Sequence, residues 1–342
     1  MPLELLERIL VACAAFNIRN DFCSLNICFH GGEPLMCGIS YFEDAMSLER
    51  DILKTFGGKV KVENSIQTNG SLLTDEWTNF FKRNNFNVGV SIDGDSTINF
   101  HTGSGNPSSV TDSVVRRFQQ LQASGVNCGV LSVITNSHKD RAKEFYNFCV
   151  QNRLNNIGLC KCLNEENGMT VRNDVLTAFL IDLFDLYFHG DYPLNIREFG
   201  TAIGKLLGRN DGVCTMVGRR NCGSYLTFDV HGNVFYCDTS YDLNQTIGNI
   251  EESSLDEVLC TKAYQERQSE CASWYEGCVA NCRVVDICGG GCHRDDVKEE
   301  GKRRNRFCET YEATFDHIRR VTSSVIPPSP LPTVEGPPIN KS

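Results

Sequence analysis

The chain has 342 residues, 41% of them hydrophobic and 22% charged, with a formal net charge of −10 and a pI near 5.3. That composition belongs to a globular protein long enough for two cores, and its acidity excludes non-specific binding to nucleic acid or anionic membrane, which needs a clustered basic surface. No apolar run reaches the roughly 20 residues of a membrane helix, and no charged leader with an apolar core opens the chain, so a cytoplasmic location is expected, with neither membrane nor nucleic acid as partner.

Residues 2–16 have the apolar spacing of a helix with Pro2 at its start, 25–30 read as a strand, 41–55 as a helix and 60–67 as a strand. Thr74 suits the N-cap of a helix reaching residue 84. The cycle repeats with a strand at 87–92, a helix at 110–123, a strand at 126–135, a helix at 139–152 and a short strand at 157–162. Strands separated by single helices make right-handed parallel βαβ units. The first half is therefore expected to be a parallel α/β sheet or partial TIM-like barrel with its chemistry at the strands' C-terminal ends.

Two amphipathic helices, 171–188 and 197–207, lead to a region of different composition. Strands at 225–230 and 233–237, joined through His231-Gly232, read as a hairpin, and the remainder reads as loop with a few helical turns. The run Lys302-Arg303-Arg304-Asn305-Arg306 is expected to be a solvated face. The proline-rich tail after residue 325 can form neither helix nor sheet and is expected to be disordered.

Eighteen cysteines in a reducing compartment do not read as a disulfide framework, which leaves metal ligation. Residues 278–292, Cys-Val-Ala-Asn-Cys-Arg-Val-Val-Asp-Ile-Cys-Gly-Gly-Gly-Cys, place four thiols beside a glycine triplet that lets backbone crowd a bulky ligand. Such soft thiolates select zinc or an iron–sulfur cluster, and spacing alone does not separate the two. Together with Cys214, Cys222, Cys237 and Cys308 they number eight, as two tetrathiolate sites require.

This pattern, with Gly-Asn-Val-Phe-Tyr-Cys ending at Cys237 and Cys-x5-Cys-Gly-Gly-Gly-Cys, resembles the SPASM domain of radical S-adenosylmethionine enzymes. The resemblance implies two auxiliary [4Fe–4S] clusters, one on Cys214, Cys222, Cys237 and Cys292 and the other on Cys278, Cys282, Cys288 and Cys308. One spacing departs: three residues separate Cys278 from Cys282 where the family usually has two. Upstream, Phe29-His30-Gly31-Gly32-Glu33-Pro34 resembles the family's Gly-Gly-Glu-Pro motif, which contacts the cofactor's amino group. Gln67-Thr68-Asn69-Gly70 and Ser91-Ile92-Asp93-Gly94 end the next two strands and resemble further segments around that cofactor. Gly31, Gly32, Glu33, Asn69, Ser91 and Asp93 are thus the implied S-adenosylmethionine contacts. Asp238, directly after Cys237, matches the proposed base of anaerobic sulfatase-maturing enzymes. A carboxylate suits that role when burial brings its pKa toward working pH.

Two departures are visible. The Cys-x3-Cys-x2-Cys motif that holds the radical-generating [4Fe–4S] cluster is absent, and Cys13, Cys23 and Cys28 have the wrong gaps to replace it. After Asp93-Gly94 the family places an arginine for the cofactor carboxylate; here Asn99-Phe100-His101-Thr102-Gly103 stands, leaving Arg116 or Arg117 as substitutes.

The expectation is therefore a truncated radical S-adenosylmethionine partial barrel at 1–190, lacking the first strand and its cluster loop. A helical bridge at 191–213, an α+β SPASM domain at 214–325 and a disordered tail at 326–342 follow. The implied function is peptide or protein maturation by hydrogen abstraction, with a flavodoxin or ferredoxin as electron donor and a third cluster if the missing segment is restored. The alternative is a degenerate iron–sulfur or zinc paralogue that binds a partner peptide without cleaving S-adenosylmethionine. His30, His101, His138, His231 and His293 show no mutual ligand spacing and read as core or surface histidines.

Overall fold

The computed structural model describes residues 1–98, 107–164, 170–209, 211–217, 219, 222–238, 243–299 and 302–325. The expected disordered tail and the segment 99–103 lie outside the described residues.

A single helix between successive strands permits only parallel neighbours, and that is the arrangement seen. Strands β1 (Ser24–Phe29), β2 (Lys61–Thr68), β3 (Asn87–Ser91), β4 (Asn127–Ile134) and β5 (Ile157–Lys161) pair in chain order, each parallel to the next. Helices α2 (Gly38–Thr55), α3 (Asp75–Arg83), α4 (Pro107–Ala123) and α5 (Ala142–Gln151) make the crossovers. Thr74 caps α3 as expected, its hydroxyl accepting from the Trp77 N–H at 3.3 Å.

Alternation along the strands shows which face the helices cover. Ile66, Val88, Val90, Cys128, Val130 and Ile134 are buried in one core with Phe42, Phe80, Phe81, Phe86 and Phe118. Ser65, Gln67, Gly89, Ser91, Leu131 and Val133, which point the other way, are only half-buried. A closed barrel buries both faces, so this sheet is a curled half-barrel with an accessible concave side.

Helix α1 (Leu3–Arg19) joins two cores. Leu6 and Leu10 enter the barrel core. Leu5 and Ile9 pack with Val234, Tyr236, Ile247, Ile250, Leu255 and Val258 of the C-terminal region. There, β6 (Thr227–Phe228), β7 (Asn233–Phe235) and β8 (Thr246–Asn249) form an antiparallel sheet, and β9 (Asp296–Glu299) pairs with β10 (Lys302–Asn305). The expected hairpin is present, held by Asp229, whose carboxylate accepts from the His231 and Asn233 N–H groups at 2.8 and 2.9 Å. The expected loop-rich remainder instead contains α10 (Lys262–Asn281), 20 residues long and capped by Thr261. Cys271 is the buried residue on this helix, so its sequence lacks the apolar periodicity that announces a helix.

The two regions are locked by a buried ion pair. Lys161, at the end of β5, donates to Asp295 at 2.6 Å, and Tyr311 on α12 (Cys308–Thr322) donates to the same carboxylate at 3.2 Å. The Lys161 ammonium also lies 5.2 and 5.1 Å from the ring centroids of Phe307 and Tyr311. Asp295 is 1% exposed, and desolvation of these charges is tolerated because each finds the other. Replacing one partner, as in Lys161→Met, should cost about 3–5 kcal/mol by leaving a buried carboxylate unpaired. Chemical denaturation should show most of that loss recovered in Lys161→Met/Asp295→Leu.

Candidate functional site

Polar side chains link the C-terminal ends of the strands to one another. Gly31 and Gly32, at φ +91° and +57°, turn the chain out of β1 through conformations that side chains disfavour, and deliver Glu33 to the neighbouring strand end. One Glu33 carboxylate oxygen accepts from the Leu35 N–H at 3.1 Å and the Thr68 hydroxyl at 2.7 Å, and the other from the Asn69 N–H at 2.8 Å. Gln67 donates to the Ser91 hydroxyl at 3.0 Å. Asp93 accepts from the Val133 N–H at 2.8 Å, tying the end of β3 to β4. The six residues implied as cofactor contacts thus lie along one rim. Glu33 and Asp93 also brace it, a role their motifs did not announce.

His138 completes the rim. It is fully buried, its Nδ1 accepts from the Thr135 N–H at 3.1 Å and its Nε2 donates to the Asp93 carbonyl at 3.0 Å, so the neutral ring satisfies both partners. Burial pushes its pKa below the ordinary histidine value. Of the two arginine substitutes considered, Arg117 sits on the outer helical layer with Asp75 at 3.3 Å, and Arg116 is exposed on the same helix. Arg141 is nearer the rim, 3.8 Å from Asp95 in the loop after β3.

The thiols fall into two neighbourhoods. Cys214 lies within electrostatic reach of Cys237, and Cys222 within reach of Cys214 and Cys292. Cys288 is within reach of Cys278, Cys282 and Cys308, and Cys282 of both Cys278 and Cys308. Burial raises the pKa of Cys214, Cys278, Cys292 and Cys308, and pushes Cys288 up to about 12. Without a metal these thiols are neutral, which lets a low-dielectric pocket hold them; a bound cation deprotonates them.

The unusual spacing of Cys278 and Cys282 has a local cause. Cys278 occupies the last turn of α10, and the Cys282 N–H closes that turn on the Cys278 carbonyl at 2.8 Å. Residues four apart then share one helix face, so the longer gap still aims both sulfurs the same way. The helix α11 (Val285–Cys288) follows, and Gly289, Gly290 and Gly291 take φ of +65°, +87° and +69°. A Cβ at Gly291 would stand 3.0 Å from Asn305 Nδ2. The triplet is therefore required by backbone conformation and by close packing on β10.

Asp238 is exposed at the end of its segment, accepts from the Cys237 thiol at 3.1 Å, and lies within electrostatic reach of Cys28 on β1. The C-terminal region thus points this carboxylate toward the half-barrel. Cys13 packs beside the second core and Cys28 near Ser65, so with Cys23 they are dispersed.

Two residues escaped the sequence reading. Cys271 belongs to neither set of four, and His293 is one of the histidines expected to be core or surface. The structure brings both to Cys222, with ligand atoms all within 4.8 Å of one another. A hydrogen bond between the sulfurs of Cys222 and Cys271 holds the Cys271 thiol below its ordinary value and that of Cys222 above it.

Comparison with known proteins agrees with this geometry. Residues 220–284 match the SPASM iron–sulfur cluster-binding domain family. The chain is 28% identical over 313 residues to the cysteine-type anaerobic sulfatase-maturating enzyme of Clostridium perfringens, covering 88% of this chain and 82% of that one. It is 28% identical over 323 residues to the serine-type enzyme of Bacteroides thetaiotaomicron, covering 85% and 75%. The structure superposes on native anSMEcpe with bound AdoMet and Cp18Cys peptide with a TM-score of 0.80 and 25% identity, over 95% of this chain and 92% of the other. Streptococcus suis SuiB bound to S-adenosylmethionine shares the fold at a TM-score of 0.57 and 20% identity, over 88% and 67%.

The fold and the cysteine-rich domain define a radical SAM peptide-modifying enzyme with an iron–sulfur SPASM domain. Within that class the chain is similar to the anaerobic sulfatase-maturating enzymes over most of its length. Among the described residues, no helix is long and apolar enough to cross a membrane.

Because the His138 pKa is depressed by folding, the fold favours the neutral ring, and its contribution is full above the unfolded value of about 6.5 and lost as pH falls below it. Unfolding free energy should therefore decline on acidification below that point. His138→Gln should flatten this part of the profile, as measured by denaturation across pH.

Proposed function

We propose that this chain is a peptide or protein maturase that modifies a substrate side chain by hydrogen abstraction. Cys214, Cys222, Cys237 and Cys292 would hold one auxiliary [4Fe–4S] cluster, and Cys278, Cys282, Cys288 and Cys308 the other. The observation that carries this reading is the grouping of the eight thiols into two separate neighbourhoods, the first of which also holds Cys271. Neither set has the close spacing of single-ion ligands: a tetrahedral zinc site with bonds of about 2.3 Å draws its sulfurs to roughly 3.8 Å apart. Among the described residues, only Cys222, Cys271 and His293 bring three such ligand atoms within 4.8 Å of one another. Thiolates on different irons of a cluster stand further apart, which supports the cluster reading of the two sets.

When bound, the clusters and S-adenosylmethionine would supply the radical and an exit for the electron left on the substrate. The residues of this chain do the rest. Gly31 and Gly32 leave backbone open on the concave side, Asn69 and Ser91 offer polar atoms along the same rim, and Glu33 and Asp93 hold the strand ends at fixed separation. Asp238 takes the substrate proton, a role supported by its electrostatic reach to Cys28 on the concave face. A flavodoxin or ferredoxin fits as electron donor.

Anaerobic reconstitution should load about eight irons per chain with matching labile sulfide. Stoichiometric zinc without sulfide in protein purified anaerobically would overturn the cluster assignment. In an active preparation, Asp238→Asn should lower peptide product at least about 100-fold while 5′-deoxyadenosine continues to form. Unchanged product would remove Asp238 from the role.

The lack of an arginine after Asp93-Gly94, where Asn99-Phe100-His101-Thr102-Gly103 stands, supports a second reading, an iron–sulfur or zinc paralogue that binds a partner peptide without cleaving S-adenosylmethionine. Formation of 5′-deoxyadenosine by this chain alone would refute it.

A further inference from the structure

We propose that Cys222, Cys271 and His293 form a mononuclear site for a thiophilic divalent ion, which competes with the auxiliary cluster for Cys222. The inference rests on the reading that Cys222 serves a cluster, and goes beyond it by giving Cys271 and His293 a function.

One ligand atom from each residue lies within 4.8 Å of the other two, and no other trio of histidine, cysteine or carboxylate among the described residues has this spacing. Two sulfurs and an imidazole nitrogen are a donor set for zinc or ferrous iron, with a fourth position left for water. Cys271 and His293 are 2% and 8% exposed, so the donors are held in a shielded place. The main chain of Cys222 is pinned by Tyr236 Oη and Gln268 Nε2, which donate to its carbonyl at 2.9 and 2.8 Å. The Tyr236 ring meets the His293 ring edge-on, with centroids 6.1 Å apart. The trio therefore joins α10, the segment after Cys292 and Cys222, whose carbonyl is held by Tyr236 and by Gln268 of α10, and is not carried by one adaptable loop.

A way in exists. His293 lines a cavity of about 430 Å³ with Glu266, Glu270, Arg267 and Asp296, whose carboxylates are balanced by Lys262, Arg267 and Arg219, so an ion can approach His293 through a polar opening. Binding is simple exchange: two thiols lose their protons, two metal–sulfur bonds form, the imidazole adds a lone pair, and no electron moves. Once Cys222 is bound to such an ion it is withdrawn from the set with Cys214, Cys237 and Cys292. Metal held here would therefore block one auxiliary cluster and leave the other.

The test uses the full chain, freed of metal under anaerobic conditions. Titration with Co²⁺ should give thiolate-to-cobalt absorption that Cys271→Ser and His293→Gln both weaken, and the hyperfine signature of an imidazole ligand should vanish in His293→Gln. In a second arm, one equivalent of Zn²⁺ is added before reconstitution with iron and sulfide. Zinc should lower the iron content of the wild type about twofold, because one of two clusters is blocked, and should leave Cys271→Ser at its zinc-free level. Equal suppression by zinc in wild type and Cys271→Ser, or a cobalt spectrum indifferent to both substitutions, would overturn the proposal. If neither protein takes up iron without zinc, the cluster reading of Cys222 fails, and the cobalt comparison alone decides the trio.

Discussion

The buried pair between Lys161 and Asp295 is the constraint on which the rest of the architecture depends. It joins the last strand of the half-barrel to a residue only three beyond Cys292, and Tyr311 adds α12, whose first residue is Cys308, to the same point. A ligand from each proposed cluster is thereby referenced to the sheet. A pair of opposite charges in a low-dielectric setting tolerates little displacement, because separating them exposes each to an unpaid desolvation cost. Arg219 and Asp296 repeat the device nearby, paired at 2.6 Å and both under 5% exposed, with Trp274 stacked 4.3 Å from the guanidinium.

The rim of the half-barrel uses the same logic at lower charge. Glu33, Gln67, Asp93 and His138 each bridge one strand end to another or to its following loop, so the concave mouth is a connected belt of hydrogen bonds. An open sheet lacks the closure that stiffens a full barrel, and lateral polar links at the strand ends supply part of that stiffness. Side chains that motif comparison associates with a cofactor therefore hold the frame as well.

Much of this was legible beforehand, for reasons that can be assigned residue by residue. Strands β1 to β5 and helices α1 to α5 announce themselves because each buries one apolar face at its own period. The cysteines point to metal chemistry because four of them crowd into residues 278–292 beside a glycine triplet. Helix α10 did not announce itself, since it buries Cys271 and little else, leaving no periodic signal. His293 escaped because counting eight thiolates seemed to close the account, and its neighbours Cys222 and Cys271 lie 71 and 22 residues away in the chain.

By itself the sequence determined the parallel α/β order of the strands and marked out eight cysteines as candidate thiolate donors, because local periodicity and residue chemistry act over short spans. Only the tertiary structure decided which thiols are neighbours, that Asp238 faces β1, that Glu33 and Asp93 serve the frame, and that Cys271 and His293 meet Cys222. Each of those facts depends on long-range docking of α10, β7 and the post-Cys292 segment, which side-chain packing and buried charge pairing select and which no local pattern encodes.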